Sequence, residues 1–385
     1  VVVVAGASFA GISAALTLRE RVPGAEVVLV EPAPVFVFAP GALAYLFGLA
    51  PFEEIARRYG ALEARGLRVV RASVTAVERD RRRVVTTAGS LPYDYLLIAT
   101  GLRLAPEEVP GLGAAPPDLN LHPYESGSSL LELRRRIVAF RGGHVVVSTP
   151  VGSYKCPPAP YEYALLWAEH LRRRRLPGRV TLVESRSRPL APLAPGLLRA
   201  IEAHKGVLTY EPFTRVLSVD PGARRVETEA GRLAFDFLSL IPPHRVAPFV
   251  AEADLGAPLV DVDALTLRST KDERIYAAGD AVDSPYARTA HAAVTSGRLA
   301  AGHIARALGA RVEEFRAPQN VCFPMVARDR ALRLGQDWYF ERGEGGTMDV
   351  KVAGTADNQA SAGNLRLRRK WQAQLLGELF GRSGA

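Results

Sequence analysis

The chain opens on an unbroken apolar run, Val1–Ala5, that stops at Gly6-Ala7-Ser8-Phe9-Ala10-Gly11. A continuous β-branched run without alternation predicts a strand buried on both faces. The Ala- and Leu-rich stretch that follows predicts a helix to about Arg21, and Glu26–Val30 predicts a second strand, closed by Glu31. The same rhythm returns at His144–Ser148 (strand), Tyr161–Arg175 (helix) and Arg179–Glu184 (strand). Two further apolar runs end in small polar turns. Tyr95–Ile98 leads into Ala99-Thr100-Gly101, and Arg274–Ala278 leads into Gly279-Asp280 before an Ala-rich helix near Ala292–Leu308. Strands alternating with helix-length segments imply α/β architecture with parallel sheets. Val1–Leu18 is uncharged, yet Gly6, Ser8, Gly11 and Ser13 interrupt it, so strand, turn and helix describe it better than a membrane span.

A length of 385 residues suits two or three domains, and 48% hydrophobic with 23% charged residues excludes a disordered chain. Of 49 basic residues only five are lysine, and the net charge is +9. The arginine blocks Arg81–Arg83 and Arg172–Arg175 carry no interleaved aromatics, and the second closes a periodic helix, where cations favour the negative dipole end. Nucleic-acid binding is therefore not expected. Cys156 and Cys322 lie 166 residues apart without metal-ligand spacing, so no metal site is expected.

Strand, glycine turn, helix, strand and acid in that order form a dinucleotide-binding unit. Gly6 permits the tight turn, Gly11 lets helix and strand approach, and N–H groups at the helix start can hold a pyrophosphate. Glu31, 20 residues beyond Gly11, is placed to accept from ribose hydroxyls. Ser8 stands where a middle glycine is usual.

The second unit repeats the architecture with different chemistry. Its connection, Thr149 to Pro160, holds one glycine and four prolines in twelve residues. Proline removes backbone donors, so a phosphate cradle is not expected there, nor NAD(P)H as reductant. The loop instead delivers Cys156 between Lys155 and a helix start. Positive charge and helix dipole predict a stabilised thiolate. A buried, space-filling cysteine fits such a loop poorly.

The Gly6–Gly11 turn, Ala99-Thr100-Gly101 and Gly279-Asp280 together resemble the FAD half of the two-dinucleotide-domain, glutathione-reductase-like flavoproteins. Cys156-Pro157-Pro158-Ala159-Pro160-Tyr161-Glu162 and Asn320-Val321-Cys322-Phe323 resemble one branch, the flavoprotein subunit of flavocytochrome c sulfide dehydrogenase. That likeness also takes in Leu240-Ile241-Pro242-Pro243 and the closing Trp371–Phe380 segment. The resemblance implies two Rossmann-like domains plus a smaller C-terminal α+β domain. Residues 1–108 and 246–315 would bind FAD, 109–245 would form the second Rossmann-like domain, and 316–385 would carry Cys322. FAD contacts are expected from Gly6, Ser8, Phe9, Ala10, Gly11, Glu31, Ala99, Thr100, Gly101, Gly279, Asp280, Ala293 and Val294. In several relatives a cysteine after the ribose-binding acid tethers the flavin. Phe36-Val37-Phe38-Ala39-Pro40 has none, so FAD is expected without a covalent link.

The resemblance further implies a redox-active Cys156–Cys322 disulfide that hydrosulfide opens, with the electron pair passing to the flavin. By analogy Cys322 takes the flavin side and Cys156 the sulfide side. Glu162 is either an acid/base for the sulfurs or a first-turn glutamate that stabilises its helix. His122, His144, His204 and His244 read as ordinary surface or core residues. The favoured acceptor is a c-type cytochrome subunit, since this chain lacks Cys-x-x-Cys-His for haem of its own. The alternative is a quinone, as in the related sulfide:quinone oxidoreductases, with the basic amphipathic segment Leu365–Phe380 at a membrane surface or packed in the core. A type II NADH dehydrogenase ranks third, and a FAD-holding interaction subunit without turnover is the reading from another class. The expected location is periplasmic or otherwise exported, with a signal sequence that is not in this chain, or peripheral to a membrane.

Overall fold

The computed structural model describes residues 1–125, 127–187, 189–343 and 347–381, so positions 382–385 of the third expected region lie outside the described residues. Val2–Ala5 forms the middle of a five-stranded parallel sheet. Its order is Ile275–Ala277, Tyr95–Ile98, Val2–Ala5, Val27–Val30 and Arg68–Val70. Val2 pairs with Val27 on one side and Tyr95 on the other, and all four central residues are buried. Layers cover both faces, which is why this strand needs no polar alternation.

A second parallel sheet runs Leu208–Glu211, Gly178–Val183, Gly143–Ser148, Phe237–Leu240. Each half carries an antiparallel three-stranded excursion before its returning strand. These excursions are Val74–Glu78, Arg83–Thr86 and Gly89–Pro92 in the first half, and Val216–Asp220, Arg225–Thr228 and Gly231–Ala234 in the second. The two halves are thus topological repeats, and the fold is the expected mixed α/β one. The helix between the first two strands of the second sheet spans Ala159–Arg174, starting two residues earlier than its apolar period suggested. At its far end Arg172 donates to the carbonyls of Ala203 and Lys205, and Arg174 to that of Val138. That arginine block caps orphan carbonyls.

The helix Phe9–Arg21 packs directly on the helix Ala290–Ala307, and small residues make the approach close. A β-carbon on Gly297 would lie 2.3 Å from the Ala10 carbonyl oxygen. Ser13 Oγ donates to the Val294 carbonyl at 2.7 Å, across 281 residues of chain. Two helix N-termini therefore converge on one end of the first sheet.

The last part of the chain is antiparallel. Gln319–Cys322, Met325–Ala327 and Met348–Ser361 pair with the long strand Arg330–Arg342, and the helix Ala362–Phe380 follows, capped by Ser361 Oγ accepting from Asn364 N. Leu365, Leu375, Leu376, Leu379 and Phe380 are buried while Arg366, Arg369 and Lys370 are exposed. The basic amphipathic pattern is thus a core-facing stripe with a charged outer side. Among the described residues no helix is long and apolar enough to cross a membrane.

Candidate active site

A cavity of about 270 Å³ opens where the two N-termini meet. Ser8, Phe9 and Ala10 line it from the first turn, Ala99, Thr100 and Gly101 from the central strand end, and Gly279, Asp280 and Ala293 from the last motif. Gly6, Gly11, Glu31 and Val294 are not among its lining residues. Gly6 adopts φ +98°, and a β-carbon there would sit 2.5 Å from the Ala99 carbonyl oxygen. On Gly11 a β-carbon would lie 1.9 Å from the Gly6 carbonyl oxygen. Both positions admit only glycine. Glu31 accepts from Ala7 N at 3.0 Å and Ala33 N at 2.8 Å, so its carboxylate ties down the turn. Each oxygen keeps a lone pair that can accept from a sugar hydroxyl. Val294 contributes only its backbone carbonyl, to Ser13.

These residues fit the FAD that the resemblance implies. Thr100 Oγ1 and Asp280 Oδ1 are buried without a hydrogen-bond partner, an expensive arrangement unless a ligand supplies one. Ser8 makes no side-chain cap on its helix, which leaves first-turn N–H groups free for an anion. Burial raises the Asp280 carboxyl, with Lys155 and Arg288 opposing the rise. Val37, Ala39 and Pro40 also line the cavity, from the segment that lacks a tethering cysteine.

The fold brings the two cysteines to one place. Cys156 N donates to the Arg288 carbonyl at 2.7 Å, while Thr289 Oγ1 donates to Asn320 Oδ1 and Val321 N to His291 Nδ1. Residues 288–291 therefore bridge the Cys156 loop and the strand that ends in Cys322. Both cysteines are thiols, half-buried, with their charges within mutual reach. Cys156 takes the left-handed conformation, φ +49°, rare for a non-glycine residue. Its carbonyl accepts from Tyr124 Oη at 2.9 Å and Ala159 N at 3.0 Å, and these bonds hold the strain.

One expectation about the pair is corrected. The Cys156 thiol is not made acidic. Burial first, then the Glu162 and Asp280 carboxylates, push it up to about 12. The Ala159 N–H at its sulfur and the charge of Arg368 oppose the rise without offsetting it, and Lys155, whose ammonium a Cys156 thiolate favours, is itself pulled down by burial. Burial also raises Cys322, with Cys156 and Glu162 adding to it. Cys156 lines the cavity shared with the glycine turn, whereas Cys322 lines a separate cavity of about 410 Å³ with Tyr154, Arg186, Arg288 and Trp338.

Glu162 is in the first turn of its helix, yet it is buried and lines the first cavity. Burial raises its carboxyl to about 7, against the pull of Arg368 and the Met325 N–H. Arg368, from the last helix, comes within 3.4 Å of Glu162 Oε1. Sequence reading missed Arg368 as a site residue. Its signal was present: Leu365, Arg368, Gln372, Leu375, Leu376 and Leu379 share one helical stripe, so an arginine stands where an apolar residue belongs.

At the matching point of the second unit the chain pairs one oxygen of its own acid and leaves the other, Glu184 Oε2, buried without a partner. Glu184 is fully buried, and Oε1 accepts from Thr149 Oγ1, Arg186 N and Arg186 Nε, each at 3.1 Å. Arg186 also donates to Tyr154 Oη at 2.6 Å. His144 accepts or donates only among Ala234, Thr181 and Arg179, and buried His122 and His244 line neither cavity but pack against Tyr124 and Tyr154, which do. Among the described residues no cluster of His, Cys, Asp and Glu could hold a metal.

Residues 1–297 match the family described as pyridine nucleotide-disulphide oxidoreductase. A mitochondrial sulfide:quinone oxidoreductase of Dictyostelium discoideum is 26% identical over 311 residues, 77% of this chain and 68% of that protein. A sulfide-quinone reductase of Aquifex aeolicus is 28% identical over 192 residues, 49% of this chain and 43% of its own. The solved structure of the sulfide:quinone oxidoreductase from Aquifex aeolicus superposes with TM-score 0.79 at 18% identity, covering 99% of this chain and 92% of that one.

Proposed function

This chain belongs to the pyridine nucleotide-disulphide oxidoreductase family, and we propose that within it the protein is an FAD-dependent enzyme that oxidises sulfide through Cys156 and Cys322 and delivers electrons to a quinone. The observation that carries the reading is the meeting of two cysteines, distant in sequence, beside a buried Glu162 on the wall of a dinucleotide-type cavity. The names of the relatives support a quinone rather than the c-type cytochrome first expected.

With the pair oxidised, hydrosulfide attacks one sulfur. A substrate–cysteine S–S bond forms, the Cys–Cys bond breaks, and the second cysteine leaves as thiolate. A second hydrosulfide takes the bound sulfur as hydrogen disulfide, leaving one thiol and one thiolate. Closing that pair again releases one proton and two electrons. Bound FAD supplies the two-electron acceptor for this closure. The net change is two hydrosulfides to one hydrogen disulfide, one proton and two electrons. Glu162, with its carboxyl near 7, is matched to receiving that proton. Cys322 receives the substrate from the 410 Å³ cavity, and Cys156 faces the FAD side.

Anaerobic sulfide is expected to bleach the flavin absorbance, and a short-chain quinone to restore it. Bleaching reversed by cytochrome c but not by quinone would return the acceptor to the first expectation. No bleaching at excess sulfide would remove the reading altogether.

A further inference from the structure

The Arg368 guanidinium, almost fully buried, joins three segments that surround the sulfurs. Nη1 donates to Met325 Sδ at 3.2 Å, and Nη2 donates to the Pro40 carbonyl and approaches Glu162 Oε1 at 3.4 Å. Met325 is three residues beyond Cys322, and its N–H also holds the Glu162 carboxyl. Pro40 lines the first cavity. Glu162 opens the helix that Cys156 precedes. A buried charge persists only where it is paired and hydrogen-bonded, and the planar fork of arginine can serve several acceptors at once.

We propose that Arg368 is a positioning residue: by holding the Glu162 carboxylate between itself and the Met325 N–H, it couples the last helix of the chain to proton handling at the cysteine pair. The inference rests on the proposed sulfide chemistry for its purpose, but its geometry does not depend on it. The charged or titratable groups that face Glu162 are Arg368 from the last helix, Cys156 from the preceding loop, Cys322 from its strand and Tyr124 from the segment across the cavity. Arg368 is the cation in this set. Its charge opposes the burial that raises Glu162, and it also opposes, more weakly, the rise at Cys156. Without it both groups move further up.

The test uses the full FAD-loaded chain with Arg368→Gln and Arg368→Lys. Two pH profiles are measured: the rate of anaerobic bleaching by sulfide, and, without sulfide, the rate of iodoacetamide alkylation of the reduced cysteines. Ionised Glu162 disfavours thiolate, so alkylation per hydroxide falls as Glu162 loses its proton. The midpoint of that fall is expected to move up by about one pH unit or more in Arg368→Gln, roughly tenfold in the ionisation constant, with Arg368→Lys between it and wild type. In a Glu162→Gln background the step should vanish and Arg368→Gln should add no shift. An unmoved midpoint in Arg368→Gln overturns the proposal. If Arg368→Gln does not retain FAD, Arg368→Lys decides, because a point charge cannot serve Pro40, Met325 and Glu162 together; a wild-type midpoint there overturns it too. Should sulfide bleach none of the proteins, the sulfide reading fails while the alkylation profiles still judge Arg368.

Discussion

Arg186 lies against the Glu184 carboxylate, with Nε 3.1 Å from Oε1, at the point of the second unit where the first unit holds Glu31. Both acids follow the last residue of a parallel strand. Glu31 is partly exposed and ties a glycine turn, whereas Glu184 is sealed from solvent with its own arginine and Thr149 as partners. One repeat keeps its acid accessible, and the other has absorbed it into the protein.

NADH is therefore expected to leave the flavin oxidised under anaerobic conditions in which sulfide bleaches it. Absorbance at equal concentrations of the two reductants checks this. Comparable bleaching by NADH would show that Arg186 and Glu184 do not block the second unit.

Cys156→Ser and Cys322→Ser are each expected to slow sulfide-dependent bleaching by at least about 100-fold while the flavin stays bound, since a lone thiol has no disulfide for hydrosulfide to open. Rapid-mixing absorbance measures the rate, and the yellow colour after gel filtration reports the flavin. A variant that bleaches normally would exclude the pair mechanism.

Stability should carry the imprint of Glu162. Its carboxyl is raised from 4.5 to about 7 by burial, so between those values the folded state binds a proton that the unfolded state has lost. Its contribution is fully present below about pH 4.5 and fades as pH rises through 7. Urea midpoints taken from pH 5 to 8 should show this decline, and Glu162→Gln should flatten it. An equal slope in the variant would assign the decline to other groups.

Acid precipitation should release the flavin into solution, because the cavity segment Val37–Pro40 offers no sulfur for a tether. Colour remaining in the pellet would mean a covalent bond elsewhere.

The nucleotide half was legible because its constraints are local and steric. An apolar run, Gly6, Gly11 and an acid at the right interval leave few alternatives, and the backbone at Gly6 shows why. The cysteines were legible only through their sequence surroundings, and their electrostatics were not. Lys155 beside Cys156 suggested an acidic thiol, but adjacency along the chain says nothing about burial, and burial dominates here. Arg368 escaped notice for the opposite reason. Its importance comes from Glu162, Met325 and Pro40, all far away in sequence, and a helix with alternating arginines and leucines hides one inward-pointing cation among several outward ones.

The contact between Ser13 and Val294 has a consequence for how the molecule is made. The first helix emerges from the ribosome early, but the partner that covers its small-residue face is synthesised 281 residues later. Until then the opening strand and helix must wait with apolar surface uncovered, and Gly297→Ala, which would press a methyl carbon onto Ala10, should delay or weaken that late docking by about 1–3 kcal/mol in the melting equilibrium. Nascent chains halted before Val294 are expected to be protease-sensitive in the helix Phe9–Arg21, so the first sheet is completed only when a distant segment arrives.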